Sequence, residues 1–334
     1  MRIGFHVPTA GGWQKTLRRA RERRCETLQV FVGAPVQWRS LQPRLLEAAE
    51  WRAAVAEHDI CPVFVHANYL LNLASTDGVL WRRSIRRLAR DLRHADLLGA
   101  AGVVTHLGSP KAGNERPLDW CLARIASGVD AALESAQVPA LLLLENSAGM
   151  GSAAGSRYEQ IGDIVGRSAY PDRLAVCLDT AHSFAAGYAW HQREGLDAAL
   201  AEADAAFGLD RLRLLHVNDS RVPFASGVDR HWHIGQGQIG SAGFEVILNH
   251  PRLRDLPMVM ETPEASLEAD LRNLRALRRC IDPAHRPSLR PPPTDPWRPS
   301  RRSTTAAPNR SGRRSFVSVS PGSRPAVTRR SSSA

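Results

Sequence analysis

Eight short apolar runs, separated by longer stretches of helical period within roughly the first 280 of 334 residues, predict an α/β protein closed into a (β/α)8 TIM barrel. Two further observations support this. Six of the eight runs end in a side chain of metal-ligand type, and the last fifty residues abandon the pattern altogether. A doubly wound open sheet is the competing arrangement, but it gives no reason for polar residues to gather at the ends of eight strands.

The runs, in order, are Ile3–Val7, Thr27–Val32, Val63–His66, Gly102–His106, Ala140–Glu145, Leu174–Asp179, Leu212–Val217 and Met258–Glu261. Between them lie amphipathic helices such as the one that places Ile85, Leu88, Leu92 and Ala95 at three- and four-residue steps. Its other face carries Arg82, Arg83, Arg86, Arg87, Arg90 and Arg93. That face reads as solvated, with a DNA-facing stripe as the alternative. The barrel is expected over residues 1–282 and a disordered basic tail over 283–334. The tail is dominated by Arg, Pro and Ser, a composition that cannot bury enough apolar surface to offset its chain entropy.

Charge follows the same division. The chain carries 44 Lys+Arg against 33 Asp+Glu, a net of +11, yet eleven Arg and a single acid (Asp295) fall between His285 and Ala334. The barrel itself is nearly neutral, and the tail is either a dispensable extension or a cationic arm for a polyanion. No apolar stretch approaches the roughly 18 residues of a membrane span. The N-terminus Met1–His6 has no signal-peptide apolar region and reads as a strand. Cys25, Cys61, Cys121, Cys177 and Cys280 are odd in number, widely spaced and never paired as C-x-x-C, which argues against a disulfide scaffold and a thiolate zinc site. An intracellular, cytoplasmic protein is expected.

The ligand-type residues then converge. Runs three to eight carry His66, His106, Glu145, Asp179, His216 and Glu261 at their ends, and in a parallel barrel all strand C-termini open onto one face. His182, three residues past Asp179, and the Asp229-x-His231 pair join from the following loops. Singly, each has a plain reading as a hydrogen-bonded histidine, a paired charge or a surface turn. Together, several buried carboxylates would repel one another without cations between them. Five His and four carboxylates with no thiolate suit zinc or manganese, with zinc preferred, and nine groups can hold two or three ions. Closely spaced ions clamp the attacking and leaving oxygens of phosphoryl transfer, so phosphodiester hydrolysis is favoured, with a two-metal sugar isomerase also open.

Four segments carry a resemblance over about residues 1–281. They are His66-Ala-Asn-Tyr-Leu-Leu-Asn-Leu73, Glu145-Asn-Ser-Ala-Gly-Met-Gly-Ser152, Leu178-Asp-Thr-Ala-His-Ser-Phe-Ala-Ala-Gly-Tyr188, and His216-Val-Asn-Asp219 with Val228-Asp-Arg-His231 and Ile234-Gly-Gln-Gly-Gln-Ile-Gly240. In these the chain resembles the endonuclease IV family, zinc-dependent apurinic/apyrimidinic endonucleases of base-excision repair on a xylose-isomerase-like TIM barrel. The resemblance implies three zinc ions, with manganese admitted at one site. His66, His106 and Glu145 would hold the first, with Glu145 bridging to a second completed by Asp179, His216 and Glu261. His182, Asp229 and His231 would hold the third.

The implied reaction cleaves the phosphodiester 5′ to an abasic nucleotide in double-stranded DNA, leaving a 3′-hydroxyl, and trims blocked 3′ ends. Glu145 or Glu261 would be catalytic, positioning a metal-activated water for attack on phosphorus. An abasic nucleotide leaves the stack at little cost, which favours the lesion over intact DNA. A monomer in the bacterial cytosol, associated with the nucleoid, goes with this reading.

The DNA-contacting loops depart from the family pattern. The loop after the second run reads Gly33-Ala-Pro-Val-Gln-Trp38, so Val36 stands where an Arg before Gln37 and Trp38 is expected to enter the DNA stack. An apolar residue can still wedge at a base step but loses polar contacts. Tyr69 is retained in the next DNA-facing loop, while Pro8 replaces a usual Ser and Gln236 a common Glu. Two alternatives remain: a sugar isomerase of the same barrel superfamily, which leaves the His182–Asp229–His231 group unexplained, and a relic that binds DNA lesions without cutting.

Overall fold

The computed structural model describes residues 1–38, 45–110, 116–263 and 266–285. Eight parallel strands close into a barrel: β1 (Arg2–His6), β2 (Thr27–Phe31), β3 (Val63–His66), β4 (Gly102–Thr105), β5 (Leu141–Glu145), β6 (Leu174–Asp179), β7 (Leu212–His216) and, closing against β1, β10 (Pro257–Met260). Around them run α1 (Trp13–Glu22), α2 (Leu45–Glu57), α3 (Gly78–Leu97), α4 (Leu118–Ala136), α5 (Tyr158–Arg167), the short α6 (Thr180–Ala185), α7 (Arg193–Phe207), α8 (Gly240–Leu248) and α9 (Leu267–Arg279). A two-residue hairpin, β8 (Asp219–Ser220) against β9 (His231–Trp232), is inserted after β7. The (β/α)8 TIM barrel expected from the sequence is the fold, and each strand lies within a residue or two of its apolar run.

The strands are continuous apolar runs because both faces are covered, as parallel sheets require. Alternate residues serve two cores. Leu142 and Leu144 of β5 pack outward with Leu88, Leu92 and Ile125 of the helix layer, while Leu143 points into the barrel with Phe64, Val104, Ala175, Cys177, Leu214 and Val259. The period of two then fixes the next inward position. Two residues beyond Phe64, Val104, Leu143, Cys177, Leu214 and Val259 stand His66, His106, Glu145, Asp179, His216 and Glu261. The ligand-type residues thus form the uppermost layer of the barrel interior, above an apolar plug that excludes water from below.

One expectation is corrected. Arg87 does not belong to a solvated stripe: it is buried, its Nε donates to Asp91 at 2.8 Å, and its Nη1 reaches the carbonyls of Gln37 and Trp38. A salt-bridged arginine at the core edge of α3 therefore pins the loop after β2. Arg82, Arg83, Arg86, Arg90 and Arg93 are all exposed, as a solvated face requires. None of the five cysteines is in a disulfide. No helix among the described residues is long and apolar enough to cross a membrane. The expected tail lies outside the described residues from 286 onward. Pro283–His285 form a single turn in which Arg254 Nη1 donates to His285 Nε2 at 2.9 Å.

Candidate metal centre

Three overlapping clusters occupy the C-terminal mouth of the barrel, their donor atoms within 4.8 Å of one another in each. The first is His66, His106 and Glu145; the second Glu145, Asp179, His216 and Glu261; the third Asp179, His182 and His231. Asp229 joins the third, its carboxylate oxygens 3.2 Å from His182 Nε2 and 3.3 Å from His231 Nε2. All nine residues singled out as ligands are therefore brought together, and the third group gains Asp179, which the sequence places with the second alone.

Glu145 is shared in a particular way. Its Oε2 faces His66 Nε2 at 3.2 Å and His106 Nε2 at 3.1 Å, while its Oε1 faces His216 Nδ1 at 3.1 Å. One oxygen serves each cluster, as a bridging carboxylate requires. These separations also match the edge of a tetrahedron around zinc, about 3.3 Å for bonds near 2.0–2.1 Å.

Local structure aims each imidazole. His66 Nδ1 donates to the Ala67 carbonyl at 2.7 Å, His182 Nδ1 to that of Asn146 at 3.0 Å, and His231 Nδ1 to that of Glu261 at 2.9 Å. A carbonyl can only accept, so the outer nitrogen of each ring keeps a proton and the inner nitrogen is the one left to a cation. The inner Nε2 of His231 is buried and makes no hydrogen bond, lying 3.5 Å from Asp179 Oδ2. Imidazoles whose inner nitrogens converge beside carboxylates, without thiolates, fit zinc.

The carboxylates are equally constrained. Asp179 caps α6 through Oδ1, which accepts from His182 N at 2.9 Å, and takes a 2.6 Å bond from Asn218 Nδ2 on Oδ2. Asn218 Oδ1 in turn accepts from Glu261 N at 2.7 Å. Asp219 accepts from five backbone amides, of Ser220, Gly235, Gly237, Ile239 and Gly240, at 2.8–3.4 Å, and so fixes the 234–240 loop. Position 237 must be glycine here, because a Cβ would stand 2.4 Å from the Ser220 carbonyl oxygen and 2.5 Å from Asp219 Oδ1.

Among themselves these groups hold one another in charged form. Burial would raise the Glu145 pKa, but His106 and His216 override it and hold it well below the usual carboxylate range. Burial likewise opposes, and His216 and His6 prevail, in depressing Glu261. Burial disfavours a charged His182, yet Asp179 and Asp229 push its pKa up to about 10. His216 and His106 are also raised against burial, the first by Cys177, Glu261 and Glu145 and the second by Glu145.

Two cavities meet at Tyr69. One of about 560 Å³ is lined by His66, His106, Glu145, Met150, His182 and Asp229; the other, of about 1080 Å³, by His6, Phe31, Glu261, Trp13, Trp51 and Pro35. Both are of the size in which a nucleotide-sized ligand is enclosed. Tyr69 is 48% exposed, stacks on His106 with ring centroids 5.8 Å apart, and packs edge-on against Phe31 and His66. Burial raises its pKa, with Glu261 and Glu145 adding to the effect, so its hydroxyl stays a donor. Val36 is 64% exposed and Gln37 is exposed beside it, whereas Trp38 is half-buried with the Arg83 guanidinium 4.2 Å from its ring centroid. The loop is tied down by Asn68 Nδ2, which donates to the carbonyls of Ala34 and Gln37 at 2.8 and 2.7 Å.

Sequence reasoning passes over His6 and Gln29. Both are inward-facing on the first two strands, and both touch Glu261: His6 Nδ1 lies 2.7 Å and Gln29 Nε2 2.7 Å from its Oε1. The period-two alternation that fixes the six strand-end ligands is the signal that finds them. Asn146 and Asn218 lie within the motifs quoted above, with no role assigned to them from sequence.

Comparison with known proteins agrees with this geometry. The family model described as a xylose isomerase-like TIM barrel matches residues 17–281. A probable endonuclease 4 of Methanoculleus marisnigri is 40% identical over 280 residues, covering 83% of this chain and 97% of that protein. One of Halothermothrix orenii is 36% identical over 280 residues, covering 84% of this chain and 100% of that protein. The crystal structure of endonuclease IV from Thermus thermophilus superposes with a TM-score of 0.74 at 36% identity, covering 84% of this chain and 98% of the other.

Proposed function

The chain belongs to the endonuclease IV family of xylose isomerase-like TIM barrels, and on that premise we propose that it cleaves double-stranded DNA on the 5′ side of abasic sites and trims blocked 3′ ends. The observation that carries the reading is the carboxylate of Glu145, one oxygen in each of two ligand clusters, with a third cluster alongside in the same mouth. A two-metal sugar isomerase would need only the first two.

His66, His106 and Glu145 would hold one zinc, Glu145, Asp179, His216 and Glu261 a second, and His182, Asp229 and His231 a third, with manganese admitted at one of them. When bound, such ions supply Lewis acidity that lowers the pKa of a water and neutralises charge developing on a phosphoryl group. The chain's own side chains do the rest. Glu261 Oε2 and Glu145 Oε1, 3.2 and 3.1 Å from His216 Nδ1, accept hydrogen bonds from the attacking water and orient it. Both carboxylates are strongly ionised, so they act as acceptors and not as acids. Tyr69, between the two cavities, offers an aromatic wall and a hydroxyl donor to the everted sugar-phosphate. Val36 and Gln37 stand at the edge from which a loop reaches the duplex, followed by the half-buried Trp38. The acting species is proposed to be a monomer in the cytosol with access to the nucleoid.

Incubation with a duplex carrying one tetrahydrofuran abasic analogue tests the proposal. The expected result is a single nick 5′ to the analogue, leaving a 3′-hydroxyl, lost on chelation and restored by zinc. Tight binding without a nick overturns it in favour of the lesion-binding relic.

A further inference from the structure

We propose that Gln29, together with His6, is a positioning pair that sets the second cluster, holding Glu261 by one oxygen and His216 by its outer nitrogen so that both present their inner atoms to a cation. The inference rests on the zinc reading above. Gln29 is fully buried on β2, a strand that supplies none of the nine proposed ligands. Its Nε2 lies 2.7 Å from Glu261 Oε1 and its Oε1 lies 2.9 Å from His216 Nε2. The opposite amide orientation would set two acceptor oxygens together at 2.7 Å, so Gln29 donates to Glu261 and accepts from His216. That acceptance keeps a proton on Nε2 and makes Nδ1, which faces Glu145 and Glu261 at 3.1 and 3.2 Å, the atom left to a cation.

His6, in register with Gln29 across β1 and β2, adds a second donor to the same Glu261 oxygen, Nδ1 to Oε1 at 2.7 Å, and is braced by Phe31 at 4.2 Å between ring centroids. With Oε1 taken twice, only Oε2 remains to face the centre. One buried amide thus fixes the rotamer of one ligand and the tautomer of another. His66, His182 and His231 take the same service from main-chain carbonyls; His216, deep in the barrel, takes it from this side chain.

The test is zinc retention by the full-length protein against increasing chelator, with metal counted by mass spectrometry, for the wild type and for Gln29→Leu, His6→Leu and His6→Asn. Loss of an outer partner of this kind weakens metal binding about 10–100-fold. Gln29→Leu is therefore expected to surrender one equivalent at correspondingly lower chelator while keeping the others. His6→Asn, whose amide nitrogen stands near the place of Nδ1, should retain more than His6→Leu. On abasic duplex Gln29→Leu should lower kcat with KM little changed, since the buried Gln29 side chain lines neither cavity. Variants with the wild-type retention curve overturn the inference while leaving the zinc reading intact; loss of all equivalents together also overturns it. A wild type that binds no zinc overturns both. If Gln29→Leu does not fold, the ordering of the two His6 variants decides alone.

Discussion

The buried centre and the loop Gly33–Trp38 lie within one mouth and are built on opposite principles. In the centre six donors are set by strand period, and several are held by a second contact: a carbonyl behind His66, His182 and His231, Asn218 behind Asp179, Gln29 behind His216. The loop is held through its main chain, by Asn68 and Arg87 on carbonyls and by the Tyr69 amide on that of Pro35, while the side chains of Val36 and Gln37 are exposed. The difference teaches where change is tolerated. A substitution in the centre disturbs several partners at once, whereas Val36 can replace a longer residue without moving anything that holds a ligand.

Glu145→Ala offers the hardest break in this contrast, because it removes one oxygen from each of two clusters. Zinc content of the purified protein should fall by about two of three equivalents and incision by on the order of 10³-fold or more. An unchanged metal content would separate Glu145 from the ions altogether. Glu261→Gln should come next, with turnover lost and gel-shift affinity for abasic duplex nearly intact. Cutting at the wild-type rate would show that the water is oriented by another group.

Protons sharpen the comparison further. His182, with its pKa held up to about 10, and His216, held well above its usual value, carry charge at neutral pH before any cation is bound, and His106 is shifted in the same direction. A raised pKa stabilises that form fully below the unfolded value of about 6.5, and the effect is lost as pH climbs through the folded value. Loading must expel these protons, so calorimetric titration with zinc in two buffers of different ionisation heat should show more than one proton released per chain. No release would mean the imidazoles are already neutral. Val36→Arg tests the other region: one added phosphate or base contact is expected to tighten duplex binding roughly fivefold, about 1 kcal/mol, without changing kcat. The smallest effect is expected from truncation after His285, which should leave incision intact and flatten the salt dependence of DNA affinity; an unchanged slope would make the arm irrelevant.

The barrel and six of the nine proposed ligands are legible in the sequence because both follow from the same alternation, an inward apolar residue, an outward one, then a donor at the strand end; His182, Asp229 and His231 are legible instead from their place just after those ends. His6 and Gln29 obey that rule too, but neither run ends in an obvious donor, since Val7 and Val32 close them. Arg87 escapes sequence reading because helical period alone puts it beside Arg83 and Arg90, and only the packing of Asp91 and the β2 loop makes its position an inner one. The sharing of Asp179 between two clusters depends on where α6 turns back after β6, which spacing along the chain does not encode.

The segment Gly235-Gln-Gly-Gln-Ile-Gly240 has the glycine spacing of a dinucleotide fingerprint and leads into the N-terminus of α8. In that fingerprint the free amides cradle a pyrophosphate. Here the carboxylate of Asp219 already occupies the role of the anion, drawing in the amides of Gly235, Gly237, Ile239 and Gly240. The protein has in effect supplied its own permanent ligand. The stretch is spent as a nucleotide cradle and gained as a rigid wall, ordered before any substrate arrives.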